Sequence, residues 1–228
     1  DLVLVLDSSA SLLEEGWNRT LEFAAGLVQY ANVGATDTHV GVVVFSGRAR
    51  VRIRYDDYDN ATALSEAIMG LSFLNGATSL GSGLRRAVNR LGVDGATGRR
   101  SEYPVSFVVV TDGDPTDNIT EGVQLLRDHI DYVTVVGIGN GVENATLYEV
   151  AGSEGVVMKV TDTLDLRRFD SISEAVEGAV CNVTAYNNRD HDVNVNFNQH
   201  FIFFIVIHLN KHFFIVIHLN KHFFIVIH

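Results

Sequence analysis

Short apolar runs alternate with stretches of helical periodicity along most of this chain. The run LVLVL between Asp1 and Asp7 has no polar alternation, which predicts a strand buried on both faces. In EEGWNRTLEFAAGLVQYA, the residues Trp17, Leu21, Ala24, Ala25 and Val28 recur at helical spacing. THVGVVVFS and RARVRIRYD predict two strands. The second alternates Val51, Ile53 and Tyr55 with Arg50, Arg52 and Arg54, so one of its faces meets water. Further strands are expected in PVSFVVVTD, YVTVVGIG and GVVMKVTD. Helices are expected in NATALSEAIMGL, SLGSGLRRAVNRLG, DNITEGVQLLRDH and NATLYEVAG, with a closing helix in TLDLRRFDSISEAVEGAV. This alternation predicts an α/β fold, a doubly wound and mainly parallel sheet with helices on both faces. Such sheets bind ligands at the carboxyl ends of their strands, and Asp7 and Asp112 both fall at such ends.

The pattern stops after Cys181. Residues 182–200 are polar and Asn-rich and read as a linker, and from Phe201 the unit HFFIVIHLNK recurs with a period of ten to form a C-terminal low-complexity tail, 201–228. Its apolar runs are too short to span a bilayer. Its FFIVI segments have high β propensity, no charge and no proline, the signature of cross-β stacking. The tail reads either as a self-associating or His-rich metal-binding segment, or as a translated tandem nucleotide repeat at the end of a gene model.

The 228 residues carry a formal net charge of −11, which argues against nucleic acid and anionic membranes and allows cation binding. The lone cysteine, Cys181, is either a reduced thiol or half of a disulfide whose partner lies outside this chain. Five N-x-[ST] sequons, at Asn18, Asn60, Asn118, Asn144 and Asn182, favour the second reading and an extracellular, secreted or cell-surface, glycoprotein. The chain starts inside a strand, without an initiator Met or signal peptide, and so reads as a piece of a longer precursor.

Three motifs share one expected rim of the sheet. They are D-x-S-x-S at Asp7, Ser9 and Ser11, the Gly-rich turn NGATSLGSGL containing Thr78, and VVVTDGDPTD delivering Asp112. Alternation in an extended loop aims Asp7, Ser9 and Ser11 to one side. Three hydroxyls and two carboxylates form an all-oxygen donor set, which suits Mg²⁺ (or Mn²⁺), a hard cation that also keeps some waters. Asp7 on its own could be only a helix N-cap. Asp114, Asp117, Glu14 and Glu15 read as a solvated acidic rim. TDGDPTDN lacks the glycine and terminal glutamate of an EF-hand loop. His39 and His129 read as ordinary residues flanking strands, and no Ser/His/Asp triad or G-x-S-x-G elbow is legible.

Together the three motifs resemble the metal-ion-dependent adhesion site of the von Willebrand factor type A domain, over about residues 1–181. The resemblance implies metal ligation by Asp7, Ser9, Ser11, Thr78 and Asp112, with an acidic side chain of a partner protein completing the shell. It also implies that Cys181 pairs with a cysteine just before the first strand, and that the closing helix, 164–180, shifts on ligand binding. Asn75 stands where the family has the first glycine of a pair, and Leu80 and Ser82 vary the rest of that turn, without removing a ligand oxygen. The short passage from VVGIGNG to VENATLYEVAG leaves no room for the extra helix of collagen-binding integrins, so the domain resembles the matrilin and non-fibrillar collagen type. The expected function is a non-enzymatic adhesion or protein-binding module of the extracellular matrix. Its rivals are a structural matrix module with a vestigial metal site and a Mg²⁺-dependent hydrolase, for which no base is left beyond Asp7 and Asp112.

Overall fold

A computed structural model of the chain describes residues 1–93, 98–139 and 141–160, together with the strands 203–209, 212–219 and 222–227. The chain divides into two units, Asp1–Asn188 and Arg189–His228. The closing helix expected over 164–180, Cys181 and the sequon at Asn182 lie outside the described residues.

The first unit holds six strands: β1 (Leu2–Asp7), β2 (Val40–Phe45), β3 (Ala49–Ile53), β4 (Ser106–Thr111), β5 (Tyr132–Ile138) and β6 (Val156–Val160). Five described helices connect them: α1 (Leu13–Tyr30), α2 (Ala61–Met69), α3 (Leu80–Ala87), α4 (Thr120–His129) and α5 (Asn144–Ala151). The sheet order is β3-β2-β1-β4-β5-β6. All pairings are parallel except β2 with β3, where three residues join the strands and allow only a hairpin. The helix expected over 79–92 is α only to Ala87 and continues as a wider π turn, Val88–Gly92.

Alternation along β1 builds two cores. Leu2, Leu4 and Leu6 pack with Trp17, Leu21 and Val28 of α1 and with Leu64 and Ile68 of α2. Val3 and Val5 pack on the other face with Leu84 of α3, Val123 and Leu126 of α4, and Leu147 and Val150 of α5. Helices therefore cover both faces, as the continuous apolar runs require. β1 leads out to β2 on one side, whereas β4 leads to β5 on the other. The carboxyl ends of β1 and β4 thus flank the point where the winding reverses, the place where open sheets of this kind bind their ligands.

The second unit is an antiparallel three-stranded sheet, β7 (Phe203–Leu209), β8 (His212–Leu219) and β9 (His222–Ile227). The pairs Phe204↔Ile217 and Phe214↔Ile227 are one pairing displaced by the ten-residue repeat.

Candidate metal centre

The parallel register of β1 and β4 sets Leu6 against Val110, so the two chains leave the sheet side by side, one through Asp7 and the other through Thr111 and Asp112. Asp7 is fully buried. Its Oδ1 accepts the Ser9 backbone N–H at 2.8 Å and its Oδ2 accepts the Thr111 hydroxyl at 2.7 Å. Asp7 is therefore no helix cap, because neither the 3-10 turn Ala10–Leu12 nor α1 has a side-chain cap. The bond to Ser9 instead folds the loop so that the Ser9 and Ser11 hydroxyls converge, 3.1 Å apart. Both donate to Asp112 Oδ1, at 3.2 Å from Ser9 and 3.0 Å from Ser11.

The loop carrying Thr78 is tied to this one by backbone pairing. Ser9 bridges Gly76, the Ala10 N–H donates to Gly76 O at 2.8 Å, and the Leu74 N–H donates to Ser8 Oγ at 2.9 Å. Trp17 anchors the same loop: its indole N–H reaches Leu71 O at 3.2 Å and its ring stacks on Phe73. Asn75, the departure from the usual glycine, holds φ 50°, a left-handed conformation that asparagine tolerates better than other non-glycine residues. Thr78 is buried, and its carbonyl accepts the Thr116 N–H and hydroxyl.

Gly113 shows where these groups point. A Cβ built on it would stand 3.4 Å from Thr78 Oγ1 and 3.8 Å from Ser11 Oγ. Glycine thus keeps open a small space into which the Thr78 and Ser11 hydroxyls both look. The structure brings together all five residues singled out in the sequence, Asp7, Ser9, Ser11, Thr78 and Asp112. Among the described residues no three His, Cys, Asp or Glu gather, and the side-chain oxygens that meet here come from two carboxylates and three hydroxyls. Such a set fits a hard divalent cation that retains water better than a borderline one seeking nitrogen or sulfur.

Burial raises Asp7 to about 6, against the opposing hydrogen bonds from Thr111 and Ser9, and the nearby Asp112 adds to the rise. Burial also raises Asp112, against the hydroxyls of Ser11 and Ser9. Two carboxylates held above their ordinary range in one site favour a compensating positive charge.

Two residues expected on a solvated rim have a structural task. Asp117 accepts the Gly81 and Ser82 N–H groups at 2.9 and 2.8 Å, capping α3 from the segment between β4 and α4, and Arg85 stands 3.8 Å from it. Asp114 Oδ1 accepts the Glu143 N–H at 2.7 Å at the start of α5. Glu14 and Glu15 are exposed, and Glu15 pairs with Arg19 one turn on. Thr111 and Gly113 flank Asp112 in the T-D-G turn, but their tasks emerge only in space. His39 bonds the Ala35 carbonyl, and His129 sits in the exposed last turn of α4. The described sequons Asn18, Asn60, Asn118 and Asn144 are all exposed. Asn60, Asn118 and Asn144 use Oδ1 as an acceptor, from Ala63 N–H, Thr120 N–H and Lys159 Nζ.

The von Willebrand factor type A domain model matches residues 1–174, and the chain belongs to this family. It is 30% identical over 177 residues to von Willebrand factor A domain-containing protein 2 of Xenopus laevis, covering 77% of this chain and 22% of that protein. Human matrilin-4 is 28% identical over 183 residues, 79% of this chain and 29% of its own length. Cuticlin-6 of Caenorhabditis elegans is 27% identical over 175 residues, 76% of this chain and 30% of its own. The chain thus spans less than a third of each of these relatives. Proximal thread matrix protein 1 from the mussel byssus shares the fold at 20% identity, with a TM-score of 0.72 over 79% of this chain and 48% of that one. A second structure of that mussel protein, with a TM-score of 0.71 at the same coverage, has a zinc-occupied adhesion-site motif.

Proposed function

We propose that the chain is an extracellular adhesion module, not an enzyme, that binds a partner protein through a divalent cation, Mg²⁺ or Mn²⁺. The observation that carries this reading is the convergence of the Ser9 and Ser11 hydroxyls on Asp112, over a buried Asp7 and beside the space onto which Thr78 looks. A cation bound there supplies positive charge and an open coordination place for a partner's Asp or Glu. The chain's own residues prepare that place. Asp7, held by Thr111, fixes the Ser9–Ser11 loop, while Ser9, Ser11 and Thr78 offer neutral oxygens directly. Asp7 and Asp112 hold metal-bound water, so few charged oxygens are spent on the cation and it stays attractive to an incoming carboxylate. The zinc-occupied motif of the mussel protein supports metal use by this arrangement, and the kinship with a matrilin supports a matrix setting.

The domain is assigned to 1–181, with a linker over 182–200 and the repeat tail over 201–228. Glycans are proposed at Asn18, Asn60, Asn118, Asn144 and Asn182, and a disulfide from Cys181 to a cysteine outside this chain. In the first four the amide nitrogen belongs to an exposed residue, and the cap made by Asn60 uses its oxygen, so a glycan there leaves the cap intact.

Calorimetric titration of the full chain with Mg²⁺ and Mn²⁺ tests the site. One-to-one binding that is lost in Thr78→Ala and Asp112→Ala, with both variants folded, is the expected result. No binding by the folded wild type would leave the second reading, a structural matrix module whose metal site is vestigial.

A further inference from the structure

Leu12 and Leu13 follow the loop of hydroxyls, and only Leu12 enters the core. Leu13 is 69% exposed, the most exposed large apolar side chain among the described residues. Its backbone holds φ 57° and ψ 172°, a region that is essentially reserved for glycine. A flexible polar residue or glycine would satisfy the local structure better, because nothing in the core gains from a leucine there. Conformations of this kind persist where surrounding structure enforces them, and they gather at ligand clamps. The enforcement here is visible on both sides: the Leu12 N–H bonds Ser9 O, and α1 begins at once with Trp17 locked in the core. Only Leu12 separates Leu13 from Ser11, so their Cα atoms are at most about 7 Å apart. The exposed charges that follow it in the chain, Glu14 and Glu15, are acidic.

We propose that Leu13 is a specificity-determining contact beside the metal place. The partner segment then carries an apolar side chain next to its Asp or Glu, and this side chain packs on Leu13. Its remaining neighbours are basic or neutral, because a second acid would meet the acidic side chains that follow Leu13, Glu14 and Glu15. The inference rests on the metal-bridged reading and specifies the partner chemistry of that same site.

The test uses an array of immobilised hexapeptides with a central Glu, whose neighbours are varied among Leu, Lys, Ser and Asp. The full chain is applied in Mg²⁺ and in EDTA. Leu-flanked peptides are expected to bind about five- to tenfold better than Ser-flanked ones, as burial of roughly half a leucine side chain on each partner allows. Asp-flanked peptides are expected to bind worst. Leu13→Ser should erase the preference for leucine while leaving calorimetric Mg²⁺ affinity unchanged. Leu13→Gly should erase it as well without lowering the thermal midpoint, which a structural role for the side chain would not allow. The same leucine preference in Leu13→Ser, or unfolding of Leu13→Gly, would overturn the proposal while leaving the metal bridge standing. Bound Mg²⁺ without Mg²⁺-dependent capture of any Glu peptide would overturn the bridge itself, and the role of Leu13 with it.

Discussion

Asp7 is the residue on which stability and function pull apart. Its carboxyl titrates at about 6 in the fold and at an ordinary 3.8 in the unfolded chain, so the folded state holds the proton more tightly. The buried charge therefore costs stability in full above about pH 6, and the cost shrinks as pH falls through 6 and is gone below about 4. Asp7→Asn removes it. The amide oxygen can still accept the Ser9 N–H, and Thr111 can accept from the amide while donating to Gly113 O, which already lies 3.3 Å away. In EDTA at pH 7.5, Asp7→Asn is expected to unfold at higher denaturant, by about 3 kcal/mol, with the gain vanishing near pH 4. The same variant should lose Mg²⁺. Equal stability of the two proteins across pH 4–8 would refute the electrostatic account of this residue. Gly113→Ala makes the converse point. Its methyl group would meet Thr78 Oγ1 at ordinary contact distance, so the fold should keep its thermal midpoint while calorimetry shows metal affinity at least about tenfold weaker.

At the scale of elements, α3 ends the turn that presents Thr78, and its first N–H groups depend on Asp117 from the β4–α4 loop. Asp117→Ala removes two charge-assisted bonds at once. Urea unfolding should show a loss of about 1–2 kcal/mol, and Mg²⁺ affinity should fall, though less than in Thr78→Ala. An unchanged urea midpoint would show that the cap is dispensable. Which elements form, and which strand ends bear Asp7 and Asp112, is legible in the sequence because buried parallel strands read as unbroken apolar runs. The D-x-S-x-S spacing likewise exposes Ser9 and Ser11. What escapes is contact across loops. Asp117 looks like one more surface acid, Thr111 like a strand end, and Leu13 like a helical apolar position, since their tasks depend on neighbours up to a hundred residues away. The short β2–β3 turn does signal the antiparallel edge, but a sheet judged mainly parallel passes over it.

The molecule as a whole joins an acidic two-core domain to a repeat sheet of different chemistry. Strands β7 to β9 pair in one repeated register, and the outer edges of β7 and β9 have no partner within that three-stranded sheet. Continuous FFIVI runs with open edges favour pairing between chains. The full chain is expected to sediment as concentration-dependent oligomers, and a chain ending at Asn188 as monomers with the same Mg²⁺ affinity. Monomeric full-length protein at every concentration would contradict the reading of the tail as self-associating.

The central claim is that a carboxylate from outside completes a metal shell built on hydroxyls. Electron paramagnetic resonance of Mn²⁺ in the full chain addresses it directly. One bound Mn²⁺ is predicted, with a spectrum that changes on addition of a Glu-containing peptide and not of its Gln counterpart. Binding should disappear in Ser9→Ala and Thr78→Ala. A bound Mn²⁺ indifferent to Glu, or one that survives loss of both hydroxyls, would contradict the account.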